Sequence, residues 1–211
     1  VQDETGNEHS VAALVTVMDT IAPTVVTQNH TVQLDSNGNA PVITAAMFEN
    51  GSMDNCGFTA TITNNVSFDC THIGNNTIDL TYTDNEGNET MTTAILTIED
   101  NVAPVAMASN ITMQIPVNGE VIITPAMVNN GSSDNCNNLS MELSQTTFNC
   151  THLGANNVTF KVNDGNGQVD STIIVVTIED ATLPTAISQN RTIYLDASGN
   201  AAVTVADINN G

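Results

Sequence analysis

Tryptophan is absent from these 211 residues, tyrosine occurs twice, and Lys161 and Arg191 are the sole lysine and arginine. Each shortage excludes something. Two full-time cations cannot grip a phosphate backbone or a layer of anionic headgroups, so neither nucleic acid nor an anionic membrane surface is an expected partner. No apolar run approaches the roughly 20 residues of a membrane-spanning helix, so direct insertion by this segment is not expected. Catalytic patterns are lacking as well: there is no glycine-rich phosphate loop after a strand, no carboxylate pair unique to one place, and no Ser/His/Asp arrangement. An enzyme is not expected. With aromatics at 3% of the chain, a small domain has a light core and buries proportionally little surface.

What is present is acid without base. The 23 Asp and Glu residues leave a formal net charge of −21, although charged residues are only 12% of the total. Carboxylates with no basic partners repel one another, stand alone in water, or share metal cations.

The chain also repeats itself. Met18-Asp19-Thr20-Ile21-Ala22-Pro23 returns as Glu99-Asp100-Asn101-Val102-Ala103-Pro104 and again as Glu179-Asp180-Ala181-Thr182-Leu183-Pro184, with the prolines 81 and 80 residues apart. Asn50-Gly51-Ser52-Met53-Asp54-Asn55-Cys56 returns as Asn130-Gly131-Ser132-Ser133-Asp134-Asn135-Cys136, and Phe68-Asp69-Cys70-Thr71-His72 as Phe148-Asn149-Cys150-Thr151-His152. A fixed period with an acidic, proline-containing junction indicates a tandem array. The expected divisions are 1–18, the last hairpin of a preceding repeat; 19–99 and 100–179, two complete repeats; and 180–211, the first strands of a further one. The segment is read as a window on a longer array.

Each repeat reads as all-β. Runs rich in Val, Ile and Thr alternate apolar and polar residues between Asn/Gly/Asp clusters. Thr31–Leu34, Pro41–Thr44, Phe58–Thr63, Thr77–Thr83 and Thr93–Ile98 are expected strands in the first repeat, with Thr172–Ile178 among those of the second and a short helical turn over Ala45–Phe48. About seven short strands in a repeat of about 80 residues predict tandem immunoglobulin-like β-sandwich domains arranged as a rod.

The four cysteines form two matched pairs, too far apart for a CxxC redox motif. The economical reading is one disulfide within each repeat, Cys56–Cys70 and Cys136–Cys150, each closing a short loop for roughly 3 kcal/mol; buried free thiols are the alternative. Disulfides imply an oxidising, extracellular compartment.

The acidic motifs have a topological reading. In a sandwich of this type the start of the domain, the second-to-third-strand loop and the last hairpin meet at one end. That gathers Asp19, Asp54, Asn55, Asp84 and Glu86 in the first repeat, and Glu99, Asp100, Asp134, Asn135 and Asp164 in the second; Glu179 and Asp180 begin a third set. Calcium takes six to eight oxygens from carboxylates, amides, backbone carbonyls and water, and these sets offer such oxygens and no soft ligand. The competing reading is that the same residues only shape Asx turns. Asn-x-Ser/Thr triplets at Asn29, Asn75, Asn88, Asn110, Asn157 and Asn190 are expected by chance in so Asn- and Thr-rich a chain. Thr20 and Ser171 sit in Asp-Ser/Thr-apolar contexts that resemble acceptors of bacterial O-glycosylation.

Asp54-Asn55-Cys56-Gly57, Tyr82-Thr83-Asp84-Asn85-Glu86-Gly87-Asn88 and Leu96-Thr97-Ile98-Glu99-Asp100 resemble the hyalin repeat and its bacterial relatives, the immunoglobulin-like repeats strung along large surface adhesins. The resemblance covers the whole chain. It implies an extracellular stalk or fibre without catalysis, whose partners are neighbouring repeats, with lateral association into fibres as an extension. The Cys-Pro opening and the last-strand cysteine of hyalin repeats are missing, so that family's disulfide pattern does not transfer. The rival function is a module that itself grips a glycan or surface. Sugar sites usually offer exposed aromatic rings, and two tyrosines with no tryptophan favour the spacer.

Overall fold

The computed structural model describes residues 1–65 and 67–209. Val66, within 19–99, and Asn210 and Gly211, at the end of 180–211, lie outside the described residues. Compactness divides the chain into two units. The first comprises Val1–Val105 with Ser133–Ser140 and Val162–Asp170; the second gathers Ala106–Ser132, Met141–Lys161 and the chain from Ser171 on.

The first unit is built on a long hairpin. Strands β3 (Gly74–Asp84) and β4 (Glu89–Glu99) pair antiparallel, Leu80 opposite Thr92. Period-two patterning sends Ile78, Leu80 and Tyr82 of β3 and Ala94, Leu96 and Ile98 of β4 inward, all nearly or wholly buried. Strand β1 (His30–Gln33) lies parallel to β4 and β2 (Phe58–Ile62) antiparallel to β3, giving the order β1-β4-β3-β2. An opening strand laid parallel against the closing one, with a second layer over the apolar face, makes an all-β sandwich of immunoglobulin type. That layer brings Leu34, Ile43, Ala45, Phe48 and Phe68 onto the sheet.

The covering layer is less regular than the alternation predicts. Pro41–Thr44 forms no strand, and the layer is held by isolated bridges, Asn39 to Asp69, Thr24 to Met53 and Thr27 to Glu49. Further along the chain, the stretch one period on does form a ladder, β6 (Glu120–Ile122) against β8 (Thr147–Asn149), with Ile122 opposite Thr147. Pro41 stands where Ile122 stands. The Ala40 amide donates to the Phe68 carbonyl at 3.0 Å, and in the later stretch the Ile123 amide donates to the Thr146 carbonyl at 2.8 Å. Alternate amides face the partner, so the position of Pro41 and Ile122 needs no N–H and admits proline.

The second sheet has the order β5-β10-β9-β7, from β5 (Ile111–Gln114), β10 (Val169–Glu179), β9 (Gly154–Asn163) and β7 (Ser140–Leu143), with β5 again parallel to β10. Val158, Phe160, Ile174, Val176 and Ile178 are buried on it, with Ile115, Ile123, Val128 and Phe148 also buried. A short helical turn occupies equivalent places at Ala45–Met47, Pro125–Val128 and Val205–Ile208.

The two paired histidines cap 3-10 turns at the edge of the core, each edge-on to a buried ring, Phe68 and Phe148. At Cys70–His72 the Thr71 amide donates to Asp69 Oδ1 at 2.9 Å while the Asp69 amide donates to His72 Nδ1 at 3.3 Å. Cys150–His152 repeats this box with Asn149 in place of Asp69. The hydroxyl of Thr71 and its amide hold the Asp69 carboxyl down to about 2 from an ordinary 3.8. A depressed carboxyl stabilises at pH above its unfolded value, and that contribution is lost as pH falls through the folded value. The Thr71 amide resonance should therefore titrate with a midpoint near 2 while Thr151 stays flat. A midpoint at 3.8 or above would show that the cap is not formed.

Candidate cation-binding clusters

Every aspartate of the acidic motifs opens an Asx turn, in which one carboxylate oxygen accepts a backbone N–H two or more residues on. The other oxygen decides what the cluster can do. Asp19 Oδ1 accepts from the Ile21 amide at 3.0 Å, Asp54 Oδ2 from Cys56 at 2.8 Å, and Asp84 Oδ1 from Glu86 at 2.9 Å and Asn88 at 2.8 Å. Asp84 Oδ2 takes the Asn88 side-chain amide at 2.7 Å. This leaves Asp19 Oδ2 and Asp54 Oδ1 shielded from solvent and without a hydrogen-bond partner. The three residues approach so that one ligand oxygen from each lies within 4.8 Å of the others.

This first cluster lies wholly in the first unit. Hydrogen bonds hold its carboxyls ionised: the Asn88 side chain foremost for Asp84, and the Ile21 amide foremost for Asp19, both below the usual range. The neighbouring Cys56 thiol is pushed up, first by the adjacent Asp19 carboxylate and then by burial and the other carboxylates. A thiol so held stays protonated at neutral pH.

The second cluster repeats the arrangement and also lies in the first unit. Asp100 Oδ1 accepts from Val102 N–H and from Asn135 Nδ2, each at 3.1 Å, and Asp100 Oδ2 accepts from Asn166 Nδ2 at 3.4 Å. Asp134 Oδ2 accepts from Cys136 N–H at 2.9 Å, and Asp164 Oδ1 from the amides of Asn166, Gly167 and Gln168 at 2.8, 3.0 and 3.1 Å. Asp134 Oδ1, Asn135 Oδ1, Asp164 Oδ2 and Gln168 Oε1 are left shielded and unpartnered, and Asp164 itself is 0% exposed. Asp100 and Asp134 each bring a carboxylate oxygen within 4.8 Å of the other and of Cys136 Sγ, and that sulfur, bonded to Cys70, offers no ligand. Asp164 is outside that close group and is joined to it by Asn166, whose backbone it holds and whose side chain reaches Asp100.

The remaining candidates fall elsewhere. Glu99 and Glu179 are exposed and accept from the Gln33 and Gln114 amides at 2.6 and 2.5 Å. The exposed Glu86 joins its cluster through its backbone amide. Asn55 is exposed and beside Asp19, whose carboxyl it helps to hold down. Asp180 is exposed and accepts from the Thr182 amide at 2.9 Å. Thr20 and Ser171 are on the surface. Asn166 and Gln168 carry no ligand signal in the sequence beyond the turn Asp164-Gly165-Asn166-Gly167-Gln168, which sends the Asn166 side-chain amide to Asp100 and that of Gln168 to Asn101.

The cysteine pairing differs from expectation. Cys70 is bonded to Cys136, 66 residues away, and Cys56 and Cys150 are free. Strand β2 lies between Cys56 and Cys70. It leaves Cys56 at the first cluster and delivers Cys70 to the 3-10 turn beside Gly38 and Asn135, so two cysteines close in sequence belong to different clusters. Strands β7 and β8 separate Cys136 from Cys150 in the same way. Peptide mapping without reduction should find one link, Cys70–Cys136, and two free thiols.

No family model and no curated protein matches the chain. Among solved structures, the chain is similar to cadherin fragments. Human mucin-like protocadherin EC1-2 aligns over 74% of this chain and 98% of that one at 10% identity and a TM-score of 0.38. Human protocadherin-24 EC1-2 aligns over 74% and 100% at 11% identity and 0.38, and mouse cadherin-23 EC22-24 over 76% and 65% at 12% and 0.37. No residue's role is carried over at these scores, and the fold assignment rests on the strand order. No helix among the described residues is long and apolar enough to cross a membrane.

Proposed function

We propose that this chain is a stretch of extracellular structural repeats, a stalk or fibre of the kind bacterial surface adhesins use, with calcium bound at the repeat boundaries. The boundaries fall after residues 18, 99 and 179, and the two clusters stand at the first two. One observation carries the reading. In both clusters an oxygen of each turn-forming aspartate is spent on the turn, and most of the oxygens left over are shielded from water with nothing to bond to. Buried polar atoms without partners are costly, and in a chain with two basic residues a hard, oxygen-seeking cation relieves them best. Turn-shaping and metal binding are thus not alternatives, because they use different oxygens of the same side chains.

Asp19, Asp54 and Asp84, with Asn55 and Glu86 at the margin, would hold the first ion; Asp100, Asp134, Asn135 and Asp164, with Gln168, the second. Glu99, Glu179 and Asp180 would contribute charge around them. The disulfide supports an oxidising compartment, and the exposed Thr20 and Ser171 would be available for glycosylation. The partners of each repeat are its neighbours in the chain, and lateral association of rods would build a fibre.

Calcium calorimetry tests this. Two ions should bind per chain; Asp54→Asn should abolish the first site and Asp134→Asn the second. Chelation should shorten and broaden the particle in small-angle scattering at constant far-ultraviolet dichroism. Unchanged scattering and no heat of binding would reduce the acidic loops to turns. Saturable, sugar-specific binding on a glycan array would instead favour the adhesion-module reading.

A further inference from the structure

The two clusters share their chemistry but not their fastening. In the first, the ligand loop Asp54-Asn55-Cys56 is tied to its hairpin by one side-chain hydrogen bond, from Asn85 Nδ2 to the Cys56 carbonyl at 2.6 Å. In the second, the corresponding loop Asp134-Asn135-Cys136 ends in the disulfide to Cys70.

That bridge is packed into the loop it anchors. Cys70 Sγ lies 3.6 Å from the Asn135 carbonyl oxygen and 3.6 Å from that of Gly38. Asn135 Nδ2 donates both to the Asp35 carbonyl and to Asp100 Oδ1, each at 3.1 Å, which leaves Asn135 Oδ1 among the unpartnered oxygens. Gly38 makes room for this: a Cβ there would stand 2.5 Å from Cys70 Sγ and 2.9 Å from the Asn135 oxygen, and its φ of +77° favours glycine independently. The turn Asp35–Asn39, the disulfide and the ligand loop therefore form one packed layer under the second cluster. The fully buried Asp164, whose Oδ2 is also unpartnered, is joined to this cluster through Asn166.

We infer that Cys70 and Cys136 are positioning residues for a cation: their disulfide holds Asp134 and Asn135 in ligating geometry, so that the second cluster is a high-affinity site under oxidising conditions and a weak one when the bridge is absent. This rests on the calcium reading above. A ligand loop held in its bound conformation loses less freedom on binding, and supporting groups just outside a metal's ligands commonly alter its affinity about 10–100-fold. The first cluster, whose equivalent cysteine is the free Cys56, is the internal comparison.

The test is calcium titration of the whole chain with the first cluster silenced by Asp54→Asn, bridged and as the Cys70→Ser/Cys136→Ser variant. Removing the bridge should weaken binding at the second cluster about 10–100-fold. The same cysteine substitutions in an Asp134→Asn background should leave the first cluster's affinity unchanged. Far-ultraviolet dichroism checks that the strands persist. Equal affinity with and without the bridge overturns the inference while leaving the calcium reading intact. No binding to the bridged, unsubstituted chain overturns both. Should the serine variant lose its strands, bridged Asp54→Asn and Asp134→Asn chains are compared directly. The second cluster must then bind at least about tenfold more tightly than the first; equal or reversed affinities overturn the inference.

Discussion

Phe160→Ala is expected to destabilise the second unit by about 3–5 kcal/mol. Phe160 is fully buried on β9, between the buried Val158 and Val162 of the same strand. The chain holds only five phenylalanines and no tryptophan, so few other side chains could expand into the space. The loss combines the transfer free energy of the ring with a cavity that a light core cannot close. A small domain has about 5–15 kcal/mol of total stability, so the second unit should unfold at a far lower urea concentration. The first unit, whose strand β3 carries Leu80 and Tyr82 at 1% and 0% exposure, should keep its own transition. A loss below about 1 kcal/mol, a value typical of surface changes, would mean that the ring is not packed as described.

How much of this was legible in the sequence depends on how local each signal is. The long strands were, because alternation over Thr77–Thr83 and Thr93–Ile98 depends only on which face of one sheet each residue meets. The covering layer was not: Pro41–Thr44 has strand composition, but whether it pairs depends on what stands opposite it. The acidic residues were legible as turn formers, and their grouping followed once the topology was assumed. Which oxygens stay unpartnered is three-dimensional, and so are the contributions of Asn166 and Gln168. The disulfide misled for the same reason. Cys56 and Cys70 look like partners along the chain, yet a strand parts them, and proximity in sequence is a poor guide when each strand carries the chain from one end of a sheet to the other.

Calcium should raise the stability of the first unit and leave that of the second unchanged. The asymmetry follows from where the ligands are: Asp19, Asp54, Asp84, Asp100, Asp134 and Asp164 all belong to the first unit. A ligand that binds only the folded state at a hundredfold excess over its dissociation constant adds about 2.7 kcal/mol. Two sites with no shared ligand contribute nearly additively, for about 5 kcal/mol, which corresponds to a rise of about 10 °C or more in melting temperature. Asp54→Asn and Asp134→Asn should each remove one site's share of the rise, Asp134→Asn the larger because the bridged cluster binds more tightly, and the double variant all of it. The Phe160→Ala chain identifies the transitions, since it lowers only that of the second unit. Calorimetric scans with calcium and with chelator would then show one transition moving and one fixed. If both move together, the ions stabilise something other than the first unit, and the ligand assignment is wrong; if neither moves, the shielded oxygens do not bind calcium.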